Sequence, residues 1–179
     1  NPSTELKVKT LNSSHKYFLP PAARQFGPHE FDTNDSRILG AFFENNQIQF
    51  VQACMDTSTG LSGIYHGFID NVASENPSVS ANILGDVDLD FGYPNISYTG
   101  LLEGDREAII TFNHSSDTVF SGFSAMYYTN DGTYSEILRI KSGESFVDRL
   151  QGTLERWGDY SGSQRKYDEP GTVWAVGSF

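Results

Sequence analysis

Cys54 is the only cysteine in the 179-residue chain. A single thiol excludes an internal disulfide framework and a cysteine-based zinc cage. It lies in Phe50-Val51-Gln52-Ala53-Cys54-Met55 with no poised base suggested nearby, so it reads as a small buried hydrophobe. Histidine is sparse as well. His15, His29, His66 and His114 are scattered, with no His-x-x-x-His pair of metal-ligand spacing. No apolar run approaches the roughly 20 residues of a spanning helix, so no membrane insertion is expected. Positive charge is short: the formal net charge is -11. That balance argues against a nucleic-acid backbone or an anionic membrane surface as partner. A Gly-x-Ser-x-Gly elbow, a phosphate-binding loop and a dinucleotide fingerprint are all missing. No signal peptide is visible at Asn1-Pro2-Ser3-Thr4-Glu5, as is also true of a secreted protein after processing. Sequons occur at Asn12, Asn34, Asn95 and Asn113 and matter only in a eukaryotic secretory pathway.

What is present is an aromatic content of 13%, frequent glycine and period-2 alternation, the mixture of a turn-rich all-β protein. Residues 1–36 form a mixed lead-in, in which Leu6–Leu11 alternates and is expected to be a strand. From Arg37 the pattern is strand, turn, strand. Arg37–Phe43 and Gln47–Ala53 flank the polar hairpin turn Glu44-Asn45-Asn46, and Ser62–Ile69 and Ser78–Leu84 follow. This unit occupies 37–92. A second, 93–155, contains Tyr93–Tyr98, Glu107–Phe112, a turn at Asn113–Ser116, Phe123–Tyr128, the hairpin signal Asn130-Asp131-Gly132 and Glu136–Lys141. A third begins near Arg156 and runs out at Phe179. Glu144–Leu150 reads as loop or a single turn. The expected fold is all-β, built from antiparallel four-stranded blades of a β-propeller, with two full blades and part of a third.

Four stretches carry a resemblance to a known family: Pro20–Gln25, Asp32 to Arg37, Tyr93-Pro94-Asn95-Ile96 and, above all, Arg156-Trp157-Gly158-Asp159-Tyr160-Ser161-Gly162. In that order they resemble the sialidase-like (BNR/Asp-box-type) β-propellers of secreted bacterial proteins, over about Pro20 to Phe179. The resemblance implies the C-terminal half of a larger ring, outside the cell or at its surface. It also implies that Trp157 and Tyr160 are buried as wedges between blades. The family's catalytic pattern is an arginine triad and a Tyr nucleophile with an acidic partner. No arginine here sits in an Arg-Ile-Pro-type motif and the repeated Asp-box is missing, so no catalytic residue carries over.

Candidate sites remain. Asp86, Asp88 and Asp90 alternate along Asp86–Gly92, which would place three carboxylates on one face. Such a face is either a solvated edge or a site for a hard cation such as calcium. Arg156 either grips a carboxylate ligand, or packs against Trp157 or pairs with Asp159; Asp159 is a ligand contact, a catalytic acid or an acceptor for the N–H groups of its own turn. Tyr160 joins them as a ligand-binding candidate. The leading functional reading is a non-catalytic propeller module for carbohydrate or protein binding and assembly. The alternative is a fragment of a sialidase-like glycoside hydrolase whose catalytic residues lie partly outside this chain; whether the chain is an enzyme stays open. The expected partner is another propeller half or a second copy of the chain, needed to cover open sheets at either end.

Overall fold

The computed structural model describes residues 7–179, among which every regular element is a strand. A short strand, β1 (Glu30–Phe31), is followed by β2 (Ile38–Glu44), β3 (Gln47–Met55), β4 (Ser62–Asp70) and β5 (Ser78–Leu84), which pair in sequence order as one antiparallel sheet, sheet 1. Next come β6 (Asp90–Tyr98), β7 (Ala108–Ser115), β8 (Gly122–Tyr128) and β9 (Leu138–Lys141), which form sheet 2 in the same way. β10 (Leu154–Glu155) pairs in parallel with β1, and β11 (Gly162–Arg165) with β12 (Val173–Val176) makes a two-stranded antiparallel sheet. The turns follow from local chemistry. Asn45 and Asn46 both take positive φ (50° and 60°), the type I′ geometry whose twist matches the flanking strands β2 and β3. Both residues are asparagine, which tolerates that region.

Two expectations fail on inspection of the ladders. Lys7–Leu11 lies in no strand among the described residues, and Leu6 lies outside them. Asn113–Ser115 is not a turn but the end of β7, paired with Gly92–Asp90 and, through His114, with Gly122. The polar run Asn-His-Ser mimics a turn because its side chains find partners within the protein, at Ser178 O, Ser124 Oγ and Arg24 O, rather than in water.

Alternation dictates how the sheets stack. Val51, Ile64 and Phe68 of sheet 1 meet Ile96, Ala108, Ile110, Phe112 and Met126 of sheet 2 in one core, closed by Leu89 and Phe91. Phe91, Phe112, Ile64 and Ile110 are fully buried, and each such side chain contributes about 1.5–3 kcal/mol. The same interface holds a polar strut. His66 Nε2 meets Gln49 Oε1 (3.1 Å) and His66 Nδ1 meets the Tyr134 hydroxyl (2.8 Å). Because Gln49 spends its Nε2 on Gln47 Oε1 and Arg106 O (2.9 Å each), its Oε1 accepts, so His66 carries its proton on Nε2. The Tyr134 hydroxyl then donates to Nδ1 and accepts from Asn82 Nδ2 (3.0 Å). The strut is neutral throughout, and burial pushes the His66 pKa down to about 3.

On the far side of sheet 1, Phe50, Cys54, Tyr65, Ala81 and Ile83 cluster, with the Phe50 ring lying over Gly67, where a Cβ has no room. Residues 7–19 strap this face: Tyr17 stands edge-on to Tyr65 at 5.6 Å, Ser13 Oγ meets the Tyr65 hydroxyl at 3.0 Å, and Phe18 O accepts from Met55 N at 3.1 Å. Cys54 is buried there and its thiol is pushed up to about 12 by desolvation, as its apolar setting in the sequence implied.

Candidate functional site

The leading strands of the three successive sheets, β2, β6 and β11, lie side by side, with β6 in the middle. Gly40 of β2 allows the approach: a Cβ there would stand 3.0 Å from the Asn95 side chain and the Ile96 backbone. Asn95 ties all three strands. Its Nδ2 donates to Leu39 O on β2 (3.1 Å), and its Oδ1 accepts from Ser163 N and Oγ on β11 (3.2 and 2.9 Å). Ser97 and Ser163 share a further bond of 2.8 Å. These polar side chains form the floor of a cleft of about 440 Å³ between the three strands.

The chemistry of the cleft is concentrated at one end. Arg165 Nη1 donates to Glu44 Oε1, and the guanidinium lies 5.2 Å from the Tyr98 ring centroid and 4.8 Å from that of Tyr167. Packed against two aromatic rings and held by a carboxylate, the guanidinium has its position fixed. Tyr98 is buried against Phe42, while Tyr167 is 73% exposed and offers an open ring face. A charge pair, an exposed aromatic ring and a floor of hydroxyl and amide groups thus border one cleft. Among the described residues, Glu44 is the only carboxylate lining it.

The Arg156–Gly162 block packs at the opposite end of β6. Trp157 is 4% exposed and stacks on Phe31 at 4.3 Å, and its Nε1 donates to Asp32 O (3.1 Å). Gly158 takes φ 71° against the Tyr93 ring, which itself sits at a positive φ of 51° in the bulge of β6. Desolvation, followed by the neighbouring Asp159 carboxylate, pushes the Tyr93 hydroxyl pKa well up. Arg156 and Asp159 close on each other through Nε (3.1 Å) and Nη2 (2.7 Å). This fork uses the geometry that would otherwise grip a ligand carboxylate. Of the readings open for Arg156, the structure shows the pairing with Asp159. Tyr160 is not buried but 92% exposed, because the turn Gly158–Ser161 points its tip outward while Ser161 Oγ anchors the base to Gly158 O (2.7 Å) and Tyr93 O (3.1 Å).

The acidic run is dispersed. β6 begins only at Asp90, so Asp86–Leu89 is a bend and the alternation that would put Asp86, Asp88 and Asp90 on one face does not operate. Asp86 Oδ1 accepts from Asp88 N (2.8 Å) and Leu89 N (3.0 Å). Asp90 is fully buried, bonded to Arg24 Nε (2.7 Å) and Ser62 N (3.1 Å). Among the described residues no three His, Cys, Asp or Glu side chains are grouped to hold a metal ion.

Of the candidates that the sequence offers, Arg156, Asp159 and Tyr160 therefore share one turn, and the three aspartates do not share a site. Glu44, Tyr98, Arg165 and Tyr167 are not singled out by any motif. The pair that defines the cleft joins residues 121 positions apart, and each looks alone like an ordinary surface charge. Comparison with protein-family models, curated proteins and solved structures returned no match.

Proposed function

We propose that this chain is a binding module of β-propeller type, acting outside the cell or at its surface, and that it binds carbohydrate in the cleft between β2, β6 and β11. The propeller reading rests on two antiparallel four-stranded sheets stacked face to face, with a third pair of strands placed on sheet 2 in the same sense. The resemblance of the Arg156–Gly162 block to secreted propeller proteins supports the location.

The observation that carries the ligand class is the Glu44–Arg165 pair beside the open Tyr167 ring. A sugar presents vicinal hydroxyls that match an acceptor next to a fork of donors, and a C–H face that stacks on an aromatic ring. The Ser97 and Ser163 hydroxyls and the Asn95 amide make the floor polar. A glycoside hydrolase needs two carboxyl groups, or a Tyr and a carboxyl group, across the scissile bond. The cleft is lined by one carboxylate, Glu44, held by Arg165 through one of its oxygens, and the release of reducing sugar separates cleavage from binding.

Titration of the chain against a panel of neutral and acidic oligosaccharides, read by calorimetry, tests the reading. Binding that Tyr167→Ala weakens about tenfold or more, equivalent to ~1.4 kcal/mol, and that Arg165→Met abolishes, supports it. Binding that survives both changes, or release of reducing sugar by the wild-type chain, overturns it.

A further inference from the structure

Two parts of the molecule lack the neighbours that comparable parts have. One is β12. In the four-stranded sheets the second strands, β3 and β7, are paired on both sides, whereas β12 pairs with β11 alone among the described residues. Its far edge presents unpaired backbone groups, the condition that favours strand addition. Ser163 faces β6, so alternation turns its neighbours Gln164 and Trp174, and with them Val176, to the outer face. There Trp174 is 67% and Val176 61% exposed, bordering a shallow apolar cleft of about 320 Å³.

The other is Lys7-Val8-Lys9-Thr10-Leu11. It alternates like a strand yet joins no ladder among the described residues, and Val8 is 83% exposed. It lies along the outer face of sheet 1. Lys9 Nζ donates to Ser74 O (3.0 Å) and Glu75 O (2.8 Å), and Leu11 borders the same hollow as Ile48 and Ile69. Sheet 2 separates this face from the β11–β12 sheet, so within one chain the strand-former and the open edge stand at opposite ends of the stack.

We propose that β12 of one copy accepts residues 7–11 of a second copy as an added strand, the outer face of sheet 1 in one molecule docking on the outer face of the β11–β12 sheet in the next. The lengths agree, four residues of edge against five of strand-former. Charge agrees as well. Lys7 and Lys9 bring positive charge toward the β11–β12 turn, where Glu169 offsets Lys166 and Asp168 remains as negative surplus, in a chain whose net charge of -11 otherwise opposes self-association. Among the described residues, the donated strand gives up the two exposed Lys9 bonds and the partial burial of Leu11 to leave its own molecule. The contact joins unlike surfaces, so copies link head to tail, and a closed pair or an open series both contain it.

Sedimentation of the full chain over a wide concentration range, combined with disulfide trapping, tests the contact. Val8→Pro removes a ladder donor at a position whose side chain is exposed, and Trp174→Lys charges the receiving face. Each is expected to weaken association at least about tenfold while the chain stays folded, equivalent to ~1.4 kcal/mol. A mixture of Val8→Cys chains with Ala175→Cys or Val176→Cys chains is expected to form hetero-disulfides; the buried Cys54 thiol stays out of the exchange. A monomer at every concentration overturns the proposal. So does an assembly indifferent to Val8→Pro, or one in which neither mixture gives a hetero-disulfide.

Discussion

The chain's two tryptophans stand in opposite surroundings. Trp157 is 4% exposed, stacked on Phe31 and hydrogen-bonded to Asp32 O; Trp174 is 67% exposed on the outer face of β12. Both sit in aromatic, strand-like surroundings near the C-terminus; the resemblance of the Arg156–Gly162 block points to burial of Trp157, but it points equally to Tyr160, which is exposed. The difference is set by what arrives from elsewhere in the chain. Trp157 lies where β1, β10 and the bulge of β6 converge, 125 residues after the carbonyl it bonds. Trp174 lies on a sheet of two strands whose outer face no described segment covers. Burial is here a property of topology, and each tryptophan gives a way to test that.

The largest effect is expected at the buried ring. Trp157→Ala removes a side chain that packs with Ala23, Phe31 and Tyr93 and leaves a cavity under the lead-in segment. A loss of about 3–5 kcal/mol is expected in urea unfolding. A loss below about 1 kcal/mol would show that the lead-in and the Arg156–Gly162 turn are not one unit.

Next comes acid. His66 and His114 are both fully buried, and burial lowers their pKa values to about 3 and about 4, with Arg139 adding to the effect at His114. In the unfolded chain each titrates near 6.5, so below that pH the unfolded state binds more protons than the folded one. The stability held by the neutral rings is complete above about pH 6.5 and is lost as pH falls toward their folded pKa values. Each ring contributes up to about 1.4 kcal/mol per pH unit in that window. His66 has both nitrogens satisfied, whereas His114 bonds Ser124 through Nδ1 and, among the described residues, has no partner on Nε2. His114→Gln should therefore flatten the stability–pH slope between about pH 4.5 and 6.5 at little cost near neutrality, while His66→Gln flattens it but breaks the strut. Equal slopes in wild type and His114→Gln would mean that the ring is not neutral in the fold.

A middle-sized effect is expected at Gly158. Its φ of 71° disfavours any side chain, and a Cβ would stand 2.8 Å from Tyr93 Cδ2. Gly158→Ala is expected to cost about 1–3 kcal/mol, seen as a lowered denaturant midpoint. An unchanged midpoint would show that the turn relaxes without disturbing Tyr93, and so that it is less tightly coupled to the core than Trp157 is.

These contrasts also show which parts of the molecule are legible in the sequence. The strands of both large sheets can be placed because each is a largely buried run of strand-forming residues bounded by turn signals, as along Gln47–Met55 or Ala108–Phe112. The Asn45-Asn46 turn is visible because its residues tolerate positive φ. Lys7–Leu11 alternates equally well but forms no ladder among the described residues, since alternation states what a segment can pair with and not whether a partner is present. Asn113–Ser115 looks like a turn because its polar side chains bond within the structure, Asn113 to Ser178 O and Ser115 to Arg24 O. Tyr160 is expected inside with Trp157, yet three positions along a tight turn reverse the direction of a side chain. The Glu44–Arg165 pair is invisible because it depends on β2 and β11 both flanking β6, a fact of sheet stacking that neither residue's neighbours encode.

The smallest expected effects lie on the exposed side of the comparison, and they sharpen it most. Tyr160 is 92% exposed, and Trp174 has its outer face in water. Truncating either removes little buried area, and surface changes away from caps, networks and strained backbone stay within about 0.5 kcal/mol. Tyr160→Ala should leave the unfolding midpoint almost unchanged although Trp157, three residues earlier, is among the most sensitive positions. Trp174→Ala should do the same in dilute solution, where the chains are separate. At higher concentration the two variants should part. Tyr160→Ala keeps the concentration dependence of wild type, whereas Trp174→Ala loses the gain in stability that association adds by mass action. If Trp174→Ala instead cost several kcal/mol in dilute solution, its ring would be covered within a single chain. The two tryptophans would then differ only in which part of the same molecule covers them.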